Sequence, residues 1–181
     1  MQVQVKEIHP IIIENYPYFE ELNKKLKEDY LRSDFSLSYK RSVHGKHTSY
    51  STRSENINKV CKWVISILKV KYLKGQQLDS HPLYCDESWF SGYDNGEYTR
   101  DHCHSPRAFS FVYFVSTPKG SSPLVFTTSN KKVKAEEGKV VIFPGNVFHH
   151  VPKNRCSGRI VLSGNISGID GVDKKNMLKY T

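Results

Sequence analysis

No stretch of this 181-residue chain approaches the roughly 18 consecutive apolar residues that a membrane-crossing helix requires. The first segment, Met1-Gln2-Val3-Gln4-Val5-Lys6-Glu7, lacks the basic-then-apolar layout of a secretory leader. The expectation is a soluble cytoplasmic protein. Cysteine is scarce and scattered: Cys61, Cys85, Cys103 and Cys156 include no Cys-x-x-Cys pair. That argues against a disulfide framework and against a paired-cysteine zinc site. There is no internal repeat, low-complexity tract or long linker, so residues 1–181 read as one domain. Acidic residues are also short, 18 against 27 basic ones, for a net charge of +9. Clustered, such an excess attracts polyanions. Here the lysines are dispersed (Lys24, Lys25, Lys27, Lys131, Lys132, Lys174 and Lys175), and a nucleic-acid partner is not expected.

What is present falls into two textures. From Tyr18 to Tyr30, Phe19, Leu22, Leu26 and Tyr30 recur at helical spacing, with Glu and Lys on the other face. Residues 36–54 are polar and read as loop or irregular strand. Ser54 is a candidate N-cap for a second helix over Glu55–Leu73 that stops at Gly75. Its apolar face is Ile57, Val60, Cys61, Val64, Leu68 and Tyr72. After Gly75, short runs rich in Val, Phe, Tyr and Thr alternate with turn residues: 108–116, 124–128, 139–143, 147–151 and 159–166. The fold class is therefore α+β with a mainly β core of sandwich, barrel or jelly-roll type. The helices, over about residues 13–75, are expected to pack on one face of a core over about 80–168.

Two histidine clusters flank this β-rich part. His102-Cys103-His104 precedes the run at 108–116, and His149-His150 follows Phe143-Pro144-Gly145. In a strand, residues i and i+2 share a side, so His102 and His104 can converge, and a histidine from a distant strand would complete a three-ligand face. Imidazole suits iron, zinc, copper and nickel alike. Arg159 lies ten residues beyond His149, at the start of an apolar strand. An inward guanidinium is costly unless paired, and no acid sits nearby in that strand; a bound dicarboxylate would supply the partner.

The ordered set Gly96-Glu97-Tyr98, His102-Cys103-His104-Ser105-Pro106, Ser110-Phe111-Val112-Tyr113-Phe114, Gly138 to Gly145, His149, Arg159 and Ser163-Gly164-Asn165-Ile166 carries a resemblance. From Trp89 to Ile166 the chain resembles the core of the 2-oxoglutarate/Fe(II) oxygenases, in the prolyl-4-hydroxylase-like branch. Within it, the chain is similar to small bacterial and phage proteins with a His-x-His-Pro-like motif in place of His-x-Asp. The resemblance implies a double-stranded β-helix (jelly roll). It also implies Fe(II) and 2-oxoglutarate as cofactors, with room for ascorbate, and O2-dependent hydroxylation of an unidentified peptide or small molecule.

Residue by residue, His102 and His149 resemble the histidine ligands, and His104 falls where most members place a carboxylate. His150 is the fallback ligand. Arg159 resembles the arginine that pairs with the distal carboxylate of 2-oxoglutarate. Two positions later the family often has Ser where this chain has Val161. Ser110 and Tyr113 are the other cofactor-pocket candidates; the position of an assisting tyrosine aligns with Phe114, beside Tyr113. Tyr93, Asn95, Tyr98 and Trp89 are candidates for the substrate mouth, with aromatic packing as the alternative; Gly92, Gly96 and Gly145 read as turn formers. Two rival readings remain. One is a cupin-like jelly roll holding another divalent metal, as an isomerase or a binding module. The other is a nucleic-acid demethylase, which would carry a second arginine soon after Arg159, where this chain runs Ile-Val-Leu-Ser-Gly-Asn.

Overall fold

The computed structural model describes residues 9–75 and 82–168. The expected start of the core near residue 80, and Lys174 and Lys175, lie outside them. No helix among the described residues is long and apolar enough to cross a membrane.

The chain enters as a strand, not a helix. β1 (Ile12–Asn15) pairs antiparallel with β9 (Lys139–Pro144) at one edge of a sheet. This corrects the start of the helical part at about residue 13. The apolar Ile11-Ile12-Ile13 run is β-branched and fits a pleated edge better than a helical turn. α1 (Phe19–Leu31) follows, with Glu20 and Glu21 in its first turn and Leu22, Leu26 and Tyr30 buried. Two short strands, β2 (Val43–His44) and β3 (Lys46–His47), occupy part of the stretch that reads as loop or irregular strand. α2 (Glu55–Ile67) is capped as its sequence predicts: Ser54 Oγ accepts from the Ile57 N–H at 3.1 Å. It continues into a π-helical segment, Leu68–Leu73.

The remaining strands are β4 (Leu83–Tyr93), β5 (Tyr98–His102), β6 (Phe109–Ser116), β7 (Leu124–Phe126), β8 (Lys131–Val133), β10 (His149–Val151) and β11 (Arg159–Gly168). They form a six-stranded sheet in the order β1-β9-β6-β11-β4-β3 and a five-stranded sheet in the order β2-β5-β10-β7-β8. Every strand pair in them is antiparallel, and the two sheets face each other as the halves of a jelly roll.

The period-two alternation of the large sheet separates two cores. On β6, Phe111 and Tyr113 face the helices; Val112 and Phe114 face the space between the sheets. β11 does the same, with Leu162 toward the helices and Val161 inward. Fully burying a ring such as Phe111 stabilises by about 1.5–3 kcal/mol. Helix packing therefore fixes the outer face of the sheet and leaves its inner face to carry a site. Gly92 is not a turn former. It lies within β4, where a Cβ would sit 2.0 Å from the Tyr30 hydroxyl, so its missing side chain lets α1 close on the sheet.

Candidate metal centre

Antiparallel pairing of β5 and β10 sets His102 directly opposite His149. Their ring centroids are 4.4 Å apart. His104 joins them at 5.0 Å from His102 and 5.1 Å from His149. One nitrogen from each of the three lies within 4.8 Å of the others, the spacing a single metal ion needs. The route by which His104 arrives differs from the strand alternation expected of it. β5 ends at His102, and His104 lies beyond the strand, just ahead of the turn at Ser105-Pro106, with its backbone N–H donating to Gly145 O at 2.6 Å. A Cβ on Gly145 would come within 2.2 Å of Arg107 O, so this glycine is needed for close approach of the loop that holds His104.

Two of the rings are pre-oriented. Nδ1 of His102 lies 2.9 Å from Arg100 O, and Nδ1 of His149 lies 3.0 Å from Val147 O. A carbonyl only accepts, so both Nδ1 atoms carry the proton and both Nε2 atoms keep a lone pair for a metal. Burial, and then the neighbouring histidines, push His149 well below the ordinary histidine range. Burial, His102 and Arg107 lower His104 to about 3, and burial lowers His102. The cluster is thus neutral and ready to ligate at neutral pH.

A pH dependence follows. The unfolded chain takes up a proton at His104 near 6.5, the folded metal-free protein only near 3. Between those values the unfolded state binds more protons, so stability falls as the pH falls through this window. Acid titration of the metal-free protein should show this slope, and His104→Phe should flatten it. An unchanged slope in the variant would remove His104 as a source.

Arg159 begins β11 on the inner face, in register with Tyr93. It is wholly buried, and its Nε, Nη1 and Nη2 atoms make no hydrogen bond to a described residue. Its guanidinium carbon stands 4.6 Å from the Tyr93 ring centroid and 5.6 Å from that of Phe114. Burial pushes it below the usual arginine range, and Tyr93 partly offsets this. Tyr93 shares its hydroxyl with Thr99 Oγ1 at 2.7 Å. An unpaired cation in such a place marks a slot for an anion.

The other sequence-selected residues divide. Ser110 faces inward, but its hydroxyl donates to Asn165 Oδ1 at 2.8 Å. It pairs opposite Asn165, six residues along β11 from Arg159. Tyr113 is corrected as a cofactor-pocket residue: it lies on the helix face, and its hydroxyl donates to Asn23 Oδ1 at 2.8 Å. Tyr93 belongs to the arginine end, not the substrate mouth. Asn95 lies in an exposed turn after β4, and Tyr98 stacks on His44 with centroids 4.4 Å apart. Trp89 is beside the cluster, 5.6 Å from His104. His150 turns to the outer face, with Nδ1 3.2 Å from Thr127 Oγ1. A shallow groove there is lined by Tyr98, Arg100, Asp101, Thr127 and His150, and by none of the three clustered histidines. His47, Tyr50 and Thr99 were not singled out in the sequence. The first two fall in a polar stretch with no regular period, and Thr99 gains its place only through Tyr93.

No family model and no curated protein matches this chain. Solved structures do. The viral collagen prolyl hydroxylase of Paramecium Bursaria Chlorella virus-1, in complex with 2-oxoglutarate, superposes with a TM-score of 0.64 at 15% identity, over 91% of this chain and 98% of that one. The architecture here is that of the prolyl hydroxylases. A Pseudomonas putida prolyl-4-hydroxylase gives 0.61 at 16% identity over 89% and 92%. A Trichoplax adhaerens prolyl hydroxylase, solved with a hypoxia inducible factor oxygen degradation domain peptide fragment, gives 0.57 at 14% over 86% and 82%. At these identities the likeness establishes the jelly-roll fold, and the site must be argued from its own residues.

Proposed function

We propose that this protein is an Fe(II)- and 2-oxoglutarate-dependent oxygenase that hydroxylates a peptide. The observation that carries the reading is Arg159. A fully buried guanidinium with no hydrogen-bond partner among the described residues packs on Tyr93 and Phe114, in the same inter-sheet core whose Phe126 and Phe143 pack on His149 of the histidine cluster. 2-Oxoglutarate fits that pair of features, because one end of it chelates a metal and the other is a carboxylate for a guanidinium fork. A cupin-like site for a metal alone leaves Arg159 unexplained. The peptide class is drawn from the fold neighbours, two of which are named for collagen and for a bound peptide fragment.

In this reading the Nε2 atoms of His102 and His149, with a ring nitrogen of His104, hold the iron. Iron and 2-oxoglutarate together supply the oxidising power that puts one oxygen atom of O2 into a substrate C–H, with succinate and CO2 as co-products. Arg159 fixes the cofactor's distal carboxylate. The hydroxyl that Val161 does not provide comes from the Tyr93–Thr99 pair beside the guanidinium. Phe114, Val161 and Phe143 keep water from the inner face. Trp89 borders the side of the cluster where substrate enters.

The test is anaerobic: Fe(II) is added to metal-free protein, then 2-oxoglutarate, and the visible charge-transfer band of the chelate is sought. Its appearance supports the reading, and bound iron without a band on adding 2-oxoglutarate overturns it. The three-histidine set also yields a substitution test. His104→Asp adds a negative charge next to the metal, and Fe(II) affinity by competition titration should be within about tenfold of the original or tighter. Complete loss of iron would show that the position does not ligate.

A further inference from the structure

One more buried histidine lies in the wall beside the cluster, outside the three-nitrogen set. His47, on edge strand β3, is 3% exposed. Its ring stacks on Trp89, with centroids 6.1 Å and planes 18° apart. Tyr50 stands edge-on to both, 5.1 Å from His47 and 4.9 Å from Trp89. Trp89 in turn touches His104. These rings form an aromatic wall leading away from the metal centre.

His47 Nδ1 lies 2.6 Å from Thr48 O. The carbonyl can only accept, so Nδ1 holds the proton and Nε2 presents a bare lone pair. No described residue donates to it. Burial pushes the ring below the ordinary histidine range, the Thr48 carbonyl partly offsets this, and Arg41 and His102 add to the lowering. Packing alone gives no reason for a nitrogen at this position, since a phenyl ring would stack on Trp89 equally well.

We infer that His47 is a substrate-binding residue whose Nε2 accepts a hydrogen bond from an amide N–H of the peptide laid against Trp89 and Tyr50. The inference rests on the peptide-oxygenase reading above. A neutral acceptor selects a donor, so the wall recognises amide N–H groups and not carboxylates.

The probe is a library of blocked pentapeptides with a central proline and randomised flanks, incubated with the iron- and 2-oxoglutarate-loaded protein. Mass spectrometry reads the gain of one oxygen atom. The unaltered protein should oxidise the library. His47→Phe should keep the charge-transfer band and the thermal midpoint, raise KM about tenfold and leave kcat within about twofold. His47→Gln, which restores a side-chain acceptor, should recover most of the loss. A second arm needs only the unaltered protein: N-methylation of successive amides in one oxidised peptide should raise KM at a single position.

Unchanged KM in His47→Phe overturns the inference. So does loss of the band in that variant, which would show a structural role, or N-methylation without effect at any position. A band in the unaltered protein with no peptide oxidised overturns it too. No band in the unaltered protein instead overturns the oxygenase reading, and this inference with it.

Discussion

Arg159→Met is expected to make the ligand-free protein more stable by about 1–4 kcal/mol while abolishing its response to 2-oxoglutarate. The two effects share one cause. The guanidinium is fully buried and makes no hydrogen bond among the described residues, so it carries the cost of desolvation with no carboxylate from them to compensate. Methionine fills similar space among Tyr93, Phe114 and Val161 without a charge. In the iron-loaded original protein, 2-oxoglutarate at a hundred times its Kd should add about 2.7 kcal/mol of stability; in the variant it should add almost none. Denaturant unfolding of both proteins, with and without the cofactor, reads both parts. A variant less stable than the original would mean that the arginine is held by an interaction of the fold itself. An undiminished response to 2-oxoglutarate would give the dicarboxylate a different anchor.

His149→Ala should weaken iron binding at least about 100-fold and remove the charge-transfer band. This histidine is the most enclosed of the three, packed on Phe143 at 4.6 Å and on His102 at 4.4 Å, with its Nδ1–H tied to Val147 O. Removing it leaves His102 and His104, which cannot define a face of three ligands. Competition titration against a metal indicator gives the affinity, and the unfolding curve of metal-free protein shows whether the fold survives. Retained affinity would transfer the ligand role elsewhere, with His150 excluded by its place on the outer face.

Legibility in the sequence followed period and spacing. α1 and α2 announced themselves through apolar residues at helical spacing, and Ser54 was readable as a cap because the cap bond is local. The runs that became β6, β9 and β11 were legible from dense Val, Phe and Ile between turn residues. β4 was not, although it is the longest strand at eleven residues. Asp86, Glu87 and Ser88 interrupt its pattern. They are tolerated because Arg107 bonds to both acids and Arg53 donates to Ser88. β2 and β3 are two residues each, too short for any alternation to show.

The site divided along the same line. His102, His104, His149 and Arg159 could be picked out by residue type and order, because buried imidazoles and a strand arginine are costly choices that demand a reason. Which neighbours serve them was a question of face and register. Tyr113 and Phe114 are adjacent in sequence and lie on opposite sides of one strand, so a one-residue ambiguity sends a cofactor candidate into the helix interface. Tyr93 moved from mouth to arginine end because antiparallel pairing sets it across from Arg159. His47 came to the cluster only when β3 docked on β4 beside Trp89. The sequence by itself determined the chemical types present and their order. Tertiary structure decided which of them share a space, because long-range strand pairing, which no local pattern encodes, sets the distances on which ligation and recognition depend.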